Sequence, residues 1–236
     1  MSVISIYQPS CDICGMRNHT VFSSLTTEQC HSVKDVKRTV LFQTGEELFR
    51  EDTNPRGVFC VLTGKVKLSK YGNEGREQIL RFAKAGDILG YSSVLTQQQH
   101  RTSAVALEQT HTCFIPAQQF NDIVQKNHHF SMALMKMMST ELMEAENRII
   151  ELAQKTLRER LAETLLQLEK LFGTDQSGEA LDISLTRDEI AGIVGTATES
   201  VIRQLSQFKH EKLIDLHGRK IAILNKRELT RMANLA

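Results

Sequence analysis

Residues 185–205, LTRDEIAGIVGTATESVIRQL, constrain the fold more than any other stretch of the chain. Thr186 and Glu189 form a Thr-x-x-Glu pattern, the capping box that begins a helix. Apolar residues then recur at helical spacing as far as Gly195, whose tolerance of positive φ suits a tight turn. A second helical stripe follows the glycine. The stretch therefore predicts two short amphipathic helices joined by a turn.

The second of these helices has polar side chains at its start. Its predicted apolar stripe is Val201, Ile202, Leu205 and Phe208. Glu199 and Arg203 share one face, where a carboxylate can accept from cytosine N4 and a guanidinium can donate to guanine O6 and N7. We interpret the pair of helices as a helix-turn-helix that reads a major groove. Two structural alternatives stay open, a Thr196–Glu199 capping box and a Glu199–Arg203 ion pair.

Length and composition fit a globular protein of one large domain or two smaller ones. The chain has 236 residues, of which 41% are hydrophobic and 24% charged. No apolar run is long enough for a membrane span, and the N-terminal residues lack the basic-then-apolar pattern of a signal peptide, so we expect a cytoplasmic protein with no membrane partner. The net charge is +1, but residues 186–236 hold nine Lys and Arg against six Asp and Glu. That mildly basic end suits contact with phosphates.

Changes of pattern divide the chain. Strand-like runs at 58–62 and 66–71, with regular glycines, predict an antiparallel barrel or jelly roll. Helices are predicted at 26–36, 131–154 and 157–171, and a hairpin or wing at 216–224. The predicted class is α+β, and the predicted parts are an N-terminal arm (1–22), a jelly-roll domain (23–125), a long helix (126–155) and a winged helix-turn-helix domain (156–236).

The long helix carries a heptad seam. Its members are Met135, Met138, Leu142, Ala145, Ile149 and Leu152. Packing on its own domain is the alternative to a partner helix, but a second stripe (Leu134, Met143 and Ile150) is available to face inward. We therefore expect the seam to form a homodimer, because two-fold proteins place two recognition helices one DNA turn apart.

This order of parts resembles the Crp/Fnr family of bacterial transcription regulators, over nearly the whole chain. The resemblance is carried by residues 58–90, 157–168 and 185–214. It implies a cyclic-nucleotide-binding or cupin-like sensor barrel, a dimerisation helix, and recognition of a palindrome with TGA-type half-sites. It also implies double-stranded DNA and RNA polymerase as partners, and no enzymatic activity.

Within the resemblance, Glu199 and Arg203 match the base-reading residues. Thr198 stands where the cyclic-AMP-receptor branch has a further base-reading Arg, and Ile202 replaces a Ser of the Fnr branch. Candidate phosphate contacts are Thr186, Arg187, Thr198, Ser200, Lys209 and Arg219.

The resemblance also locates an effector pocket. Its candidates are Gly90, Tyr91, Arg101 and Thr102. Gly90 and Arg101 are retained, but Tyr91 replaces the Glu that takes the ribose hydroxyl. Ala145 and Glu146 align with the pair that contacts adenine, where an unpartnered buried carboxylate is costly. We expect that the barrel does not bind cyclic AMP, and another anion at Arg101 stays open.

The cysteines suggest another signal. Fnr-like members hold a [4Fe-4S] cluster on three N-terminal cysteines and one in the barrel, and here Cys11, Cys14 and Cys113 match. Thr20 stands where the third N-terminal cysteine is expected, so the fourth ligand is undefined, with His19, Asp12 and Cys30 as candidates. A redox disulfide between Cys11 and Cys14, a zinc site, or no cofactor stay open as alternatives. Cys60 is predicted to be core.

A function of a different class is a cupin-type enzyme or ligand-binding module whose helical tail binds protein. Such an enzyme needs a metal triad in the barrel. The sequence contains no H-x-H followed by a spaced Glu, which favours the regulator.

Overall fold

The computed structural model describes residues 14–72 and 75–234. They form two compact units, one running to Tyr71 and resuming from Ile79 to Leu142, the other comprising Gly72–Gln78 and the chain from Met143 onward. The helices are α1 (Thr27–Val36), α2 (Tyr91–Thr96), α3 (Ala117–Lys126), α4 (His128–Gln154), α5 (Leu157–Phe172), α6 (Arg187–Val194), α7 (Thr198–His210) and α8 (Lys226–Met232). The strands are β1 (Arg38–Phe42), β2 (Glu47–Phe49), β3 (Gly57–Thr63), β4 (Val66–Tyr71), β5 (Glu77–Ala83), β6 (Ile88–Leu89), β7 (Ser103–Ala106), β8 (Thr110–Pro116), β9 (Ile214–His217) and β10 (Lys220–Ile223).

The first unit is the predicted jelly roll. Its two four-stranded sheets have the orders β1-β8-β3-β6 and β2-β7-β4-β5. β3 lies between β8 and β6, and five consecutive β3 residues from Gly57 are buried, as a central strand requires. The sheet predictions at 58–62 and 66–71 are confirmed to within a residue.

The chain before α1 packs on the barrel. Two 3₁₀ turns, Arg17–His19 and Val21–Ser24, lead into it, and Phe22 joins a core cluster that also holds Cys30. The Arg17 guanidinium donates to the carbonyl oxygens of Phe22 (3.2 Å) and Leu25 (2.6 Å). The last residues of the predicted arm are therefore packed on the barrel. The sequence did not predict this packing, because these residues show no helical or strand periodicity.

Helix α4 contacts the barrel core only through its first turns. Phe130 and Leu134 are buried there, and Met137 packs against the same cluster. The prediction that Met143 and Ile150 face inward is wrong, since they are 63% and 53% exposed. The apolar core that α4 meets ends near Met137, so the second stripe stays uncovered.

The second unit holds the predicted helix-turn-helix and wing. Capping boxes begin α5 at Thr156 and α6 at Thr186, and α6 ends at Gly195, whose φ of +72° is left-handed. β9 and β10 form the antiparallel wing. Arg148 on α4 donates to the carbonyl of Ile193, and Arg160 on α5 donates to that of Val194 (2.9 Å). These donors satisfy carbonyls at the end of α6, where no helical partner exists.

No described helix is long and apolar enough to cross a membrane.

Candidate nucleic-acid interface and sensor cavity

Helix α7, the predicted recognition helix, buries one face in its unit and exposes the other to solvent. Val201, Leu205 and Phe208 are buried as predicted. The prediction that Ile202 belongs to that stripe is wrong, because its side chain is 47% exposed. Residues three and four apart share a helix face, so Ile202 stands beside Glu199 and Ser206. An apolar group therefore lies on the outward face.

Glu199 and Arg203 are exposed, and neither structural alternative for them is formed. The helix begins after Ala197 with no side-chain cap, so Glu199 is not part of a capping box. Within residues 14–72 and 75–234, no hydrogen bond or ion pair joins Glu199 to Arg203 or either of them to another group. Both side chains are available to an outside partner.

Four of the six candidate phosphate contacts are engaged within the protein, three of them at the starts of α6 and α7 and beside the wing. The Thr186 hydroxyl accepts from the Glu189 amide (3.1 Å) as an N-cap. The Thr198 hydroxyl donates to an Asp188 carboxylate oxygen (2.6 Å), and Lys209 pairs with Asp215 (2.7 Å). These contacts position the start of α6, the start of α7 and the wing.

The other candidates differ in access. Arg187 donates to the carbonyl of Gly218 in the wing turn (3.0 Å), and burial lowers the pKa of its guanidinium. Its Nη1 is buried and has no hydrogen-bond partner among the described residues. Arg219 is exposed at the tip of the wing, and Ser200 is half-buried in the first turn of α7.

Among the residues predicted to form an effector pocket, Tyr91 is hydrogen-bonded within the protein. Gly90, with φ +81°, is the N-cap of α2, and Tyr91 is 5% exposed. The Tyr91 hydroxyl donates to Glu141 of α4, whose other carboxylate oxygen lies 3.2 Å from Arg81. Burial, followed by the hydrogen bond and charge of Glu141, raises the pKa of Tyr91 and keeps the phenol a neutral donor.

The other pocket candidates show a different environment. Arg101 is exposed and Thr102 is half-buried. The neighbouring His100 is buried and stacks on Phe49, with 4.1 Å between ring centroids. Burial lowers the pKa of His100, which favours its neutral form.

A small cavity in the barrel unit brings cysteines together. Cys14, Cys60 and Cys113 line it, as do Arg17 and Lys37. The four described cysteines are thiols, and the fourth, Cys30, lies in α1 away from this lining. Cys60 is buried, as predicted, but its place in the lining was not predicted. The position of Cys60 beside Cys113 follows from the pairing of β3 with β8, and spacing in the sequence does not show which residues of two strands are opposed.

The thiol set fits a thiolate-bound group in its chemistry, since iron–sulfur clusters and soft metals take Cys. Among the described residues, no three His, Cys, Asp or Glu are grouped closely enough to hold a single metal ion. Cys11, Asp12 and the side chain of His19 lie outside the described part of the chain.

The heptad seam is exposed along α4. The fractions are 51% for Met135, 39% for Met138, 60% for Leu142, 67% for Ile149 and 39% for Leu152, and Ala145 is exposed as well. A row of apolar side chains open to water is typical of a protein–protein contact.

Two protein families match the chain. Residues 39–127 match the cyclic nucleotide-binding domain, and residues 159–232 match the Crp-like helix-turn-helix domain. Together they cover the barrel and the unit that contains α6 and α7.

Relatives match over most of their length. The chain is 30% identical over 235 residues to the transcriptional activator protein anr of Pseudomonas aeruginosa, covering 99% of this chain and 96% of that one. It is 30% identical over 202 residues to the fumarate and nitrate reduction regulatory protein of Vibrio cholerae, covering 85% and 80%. The fold is similar to FixK2 from Bradyrhizobium japonicum, with TM-score 0.74, 27% identity and coverage of 84% and 97%. A CRP/FNR-family regulator from Thermus thermophilus gives TM-score 0.70, 26% identity and coverage of 84% and 98%.

The domain order, the fold and these relatives confirm the predicted resemblance. The chain belongs to the Crp/Fnr family and is a DNA-binding transcription regulator of that type.

Proposed function

We propose that the protein is a homodimeric regulator that reads a palindrome of TGA-type half-sites under control of a redox signal. The main support for DNA recognition is the exposure of Glu199 and Arg203 on α7. Neither side chain has a partner among the described residues. A carboxylate and a guanidinium one turn apart suit cytosine and guanine edges in a major groove. Arg219 at the wing tip is an exposed candidate for a phosphate contact.

The dimer is supported by the exposed seam of α4. Apolar residues at heptad spacing are covered when two such helices pair. We assign residues 1–22 to the cysteine-containing arm, 23–125 to the sensor, 126–155 to dimerisation and 156–236 to DNA binding. RNA polymerase is the expected protein partner.

The signal is proposed to be redox rather than cyclic AMP. A relative is called a fumarate and nitrate reduction regulatory protein, and in this chain Cys14 and Cys113 line one cavity. These two, with Cys11, would hold an iron–sulfur group, which when bound supplies sensitivity to oxidation. Against a nucleotide, Tyr91 stands in place of the ribose-binding Glu and is occupied by Glu141.

The response is proposed to be a two-state equilibrium of the α4 pair. α4 carries the seam, and its Arg148 donates to the carbonyl of Ile193 at the turn of the helix-turn-helix. A change in the orientation of α4 therefore acts on the helix that precedes the recognition helix. Only one orientation spaces two recognition helices one DNA turn apart.

A gel shift tests the proposal directly. Anaerobically purified protein is titrated against a duplex with TTGA and TCAA half-sites, and against the same duplex with both TGA triplets scrambled. We expect a shift with the first duplex at concentrations that leave the second free. Equal affinity for the two contradicts the TGA assignment, and no affinity for either favours the cupin-type module.

A further inference from the structure

We propose that Cys60 and Cys113 form a reversible disulfide when a peroxide reaches the cavity that both of them line. The bridge needs no bound metal or cluster. It extends the redox control proposed above to a second residue of the barrel, and it rests on that proposal only for its effect on DNA binding. Because Cys113 is also a proposed ligand of the iron–sulfur group, the bridge and that group exclude each other at this thiol.

Strand pairing holds the two cysteines side by side. Cys60 on β3 is directly opposite Cys113 on β8. Opposed residues of antiparallel strands have Cα atoms about 4.5–5.5 Å apart and side chains on the same face of the sheet. Disulfides span Cα separations of about 4.4–6.8 Å, so rotation of the two side chains is enough to bring the sulfur atoms together.

The backbone around the pair is fixed on both sides. β3 also pairs with β6, where Cys60 is opposite Ile88, and β8 also pairs with β1, where Cys113 is opposite Thr39. Both cysteines therefore lie on the two inner strands of a four-stranded sheet. Their spacing is set in the reduced protein, so closing the bridge requires no unfolding of the barrel.

The surroundings of the two thiols suit a neutral bridge. Cys60 and Cys113 are 6% and 8% exposed, and both belong to one apolar core cluster. The surface of the cavity that they line is almost wholly apolar. A disulfide has no charge and no N–H or O–H group, so it leaves no buried polar group unpaired, whereas an ion placed there would lose its hydration.

The other two described cysteines lack this arrangement. Cys30 belongs to the same core cluster, but it lies in α1 and does not line the cavity. Cys14 lines the cavity, but it lies outside the strands, so strand pairing does not set its distance from either thiol. Among the described cysteines, only the opposed pair has a spacing that the fold fixes.

The size of the cavity selects a small oxidant. Its volume is about 30 Å³, which gives room for two water-sized molecules at about 10–15 Å³ each and so for one hydrogen peroxide.

The oxidation then takes two steps. The thiolate of one cysteine attacks a peroxide oxygen, the O–O bond breaks, and the departing hydroxide takes up a proton and leaves as water. The second thiol attacks the sulfenic acid that remains, which forms the S–S bond, breaks the S–O bond and releases a second water. The two thiols lose two electrons and two protons, and the peroxide takes them up.

Peptide mapping tests the bridge. The full-length protein is reduced, exposed to hydrogen peroxide, alkylated and digested with trypsin, which places Cys60 in peptide 57–65 and Cys113 in peptide 102–126. We expect these two peptides to be joined and lighter than their sum by two hydrogen atoms, and dithiothreitol to separate them. Cys60→Ala and Cys113→Ala should each abolish the joined peptide. Cys30→Ala, the matched buried cysteine, should keep it.

Thermal unfolding of each variant shows whether it is folded, and the wild type alone decides the question where a variant is not. A wild type in which both peptides carry the alkyl group after peroxide treatment overturns the proposal. A bridge from either thiol to Cys14 overturns it as well.

The gel shift, run on reduced and oxidised samples, separates this proposal from the proposed function. A joined peptide with equal affinity for the TGA duplex in both samples supports the bridge and contradicts redox control of DNA binding. Absence of the joined peptide, with an affinity that changes on oxidation, contradicts the bridge and supports redox control.

Discussion

At the scale of single residues, the outward face of α7 combines two charges with an apolar side chain. The spacing of Glu199 and Arg203 predicted that both lie on one face of the helix, and both side chains are exposed in the structure. Ile202 was predicted to be core and is exposed instead. Its neighbour Val201 takes the buried position, and the helical turn of about 100° between the two residues decides which of them is inside. Sequence alone predicts an apolar stripe but not its edge.

Arg203→Ala is expected to weaken binding to the TGA duplex by about 1–3 kcal/mol and to relax the choice of base at one guanine. Fluorescence anisotropy titrations on duplexes that vary this base measure both effects. Arg231→Ala, which removes an exposed arginine of α8 paired with Glu228, is the control and should bind like wild type. Unchanged base preference in Arg203→Ala shows that this residue does not read DNA.

Ile202 is expected to contact a thymine methyl group, because an exposed apolar side chain beside the proposed base-reading residues suits that group. Replacing the contacted thymine by uracil removes one methyl and should weaken wild-type binding by about 0.8 kcal/mol. The same replacement should leave the affinity of Ile202→Ala unchanged, as a double-mutant cycle requires. Equal sensitivity to uracil in both proteins contradicts the contact.

At the scale of elements, helix boundaries were predictable where a local signal marks them. Capping boxes begin α1, α5 and α6 at Thr26, Thr156 and Thr186. Each box can be recognised in the sequence as a Thr followed three residues later by Glu or Gln. Strand pairing has no such signal, so the opposition of Cys60 and Cys113 and the cavity beside it stayed hidden. The docking of residues 14–25 was also missed, because Phe22 and Leu25 bury their side chains without any periodic pattern.

Gly195→Ala is expected to destabilise the second unit by about 1–2 kcal/mol, because a non-glycine residue is strained at left-handed φ. An added Cβ also comes within 2.9 Å of a terminal methyl of Leu152, which has to move. Gly195→Asn carries the same Cβ but adopts this conformation more readily, so it should lose less. Urea unfolding measures the difference, and equal losses would point to the Leu152 contact instead of the backbone.

At the scale of the whole molecule, the proposed homodimer is the arrangement in which a second copy of the chain covers the exposed seam. Leu142 and Ile149 are among the most exposed large apolar residues described, at 60% and 67%. Such a surface is stable in water when a partner covers it.

Ile149→Lys is expected to convert the dimer to monomers and to abolish tight binding to the full palindrome, since a charge in a paired seam is desolvated without a partner. Sedimentation velocity measures the first effect and the gel shift the second. Asn147→Lys introduces the same charge at an exposed position two residues away, outside the seam, and should remain dimeric. A dimeric Ile149→Lys protein would place the interface elsewhere.

The capping boxes have a consequence for how the chain folds. The hydrogen bonds of each capping box join residues three apart in sequence. The first turns of α5 and α6 therefore form through local contacts alone. The barrel instead depends on pairs such as Cys60 and Cys113, about fifty residues apart in sequence. Because contacts between distant residues slow folding, the helical unit should reach its native state before the barrel closes. A full-length chain that refolds from denaturant would then hold a folded DNA-binding unit while its sensor is still assembling.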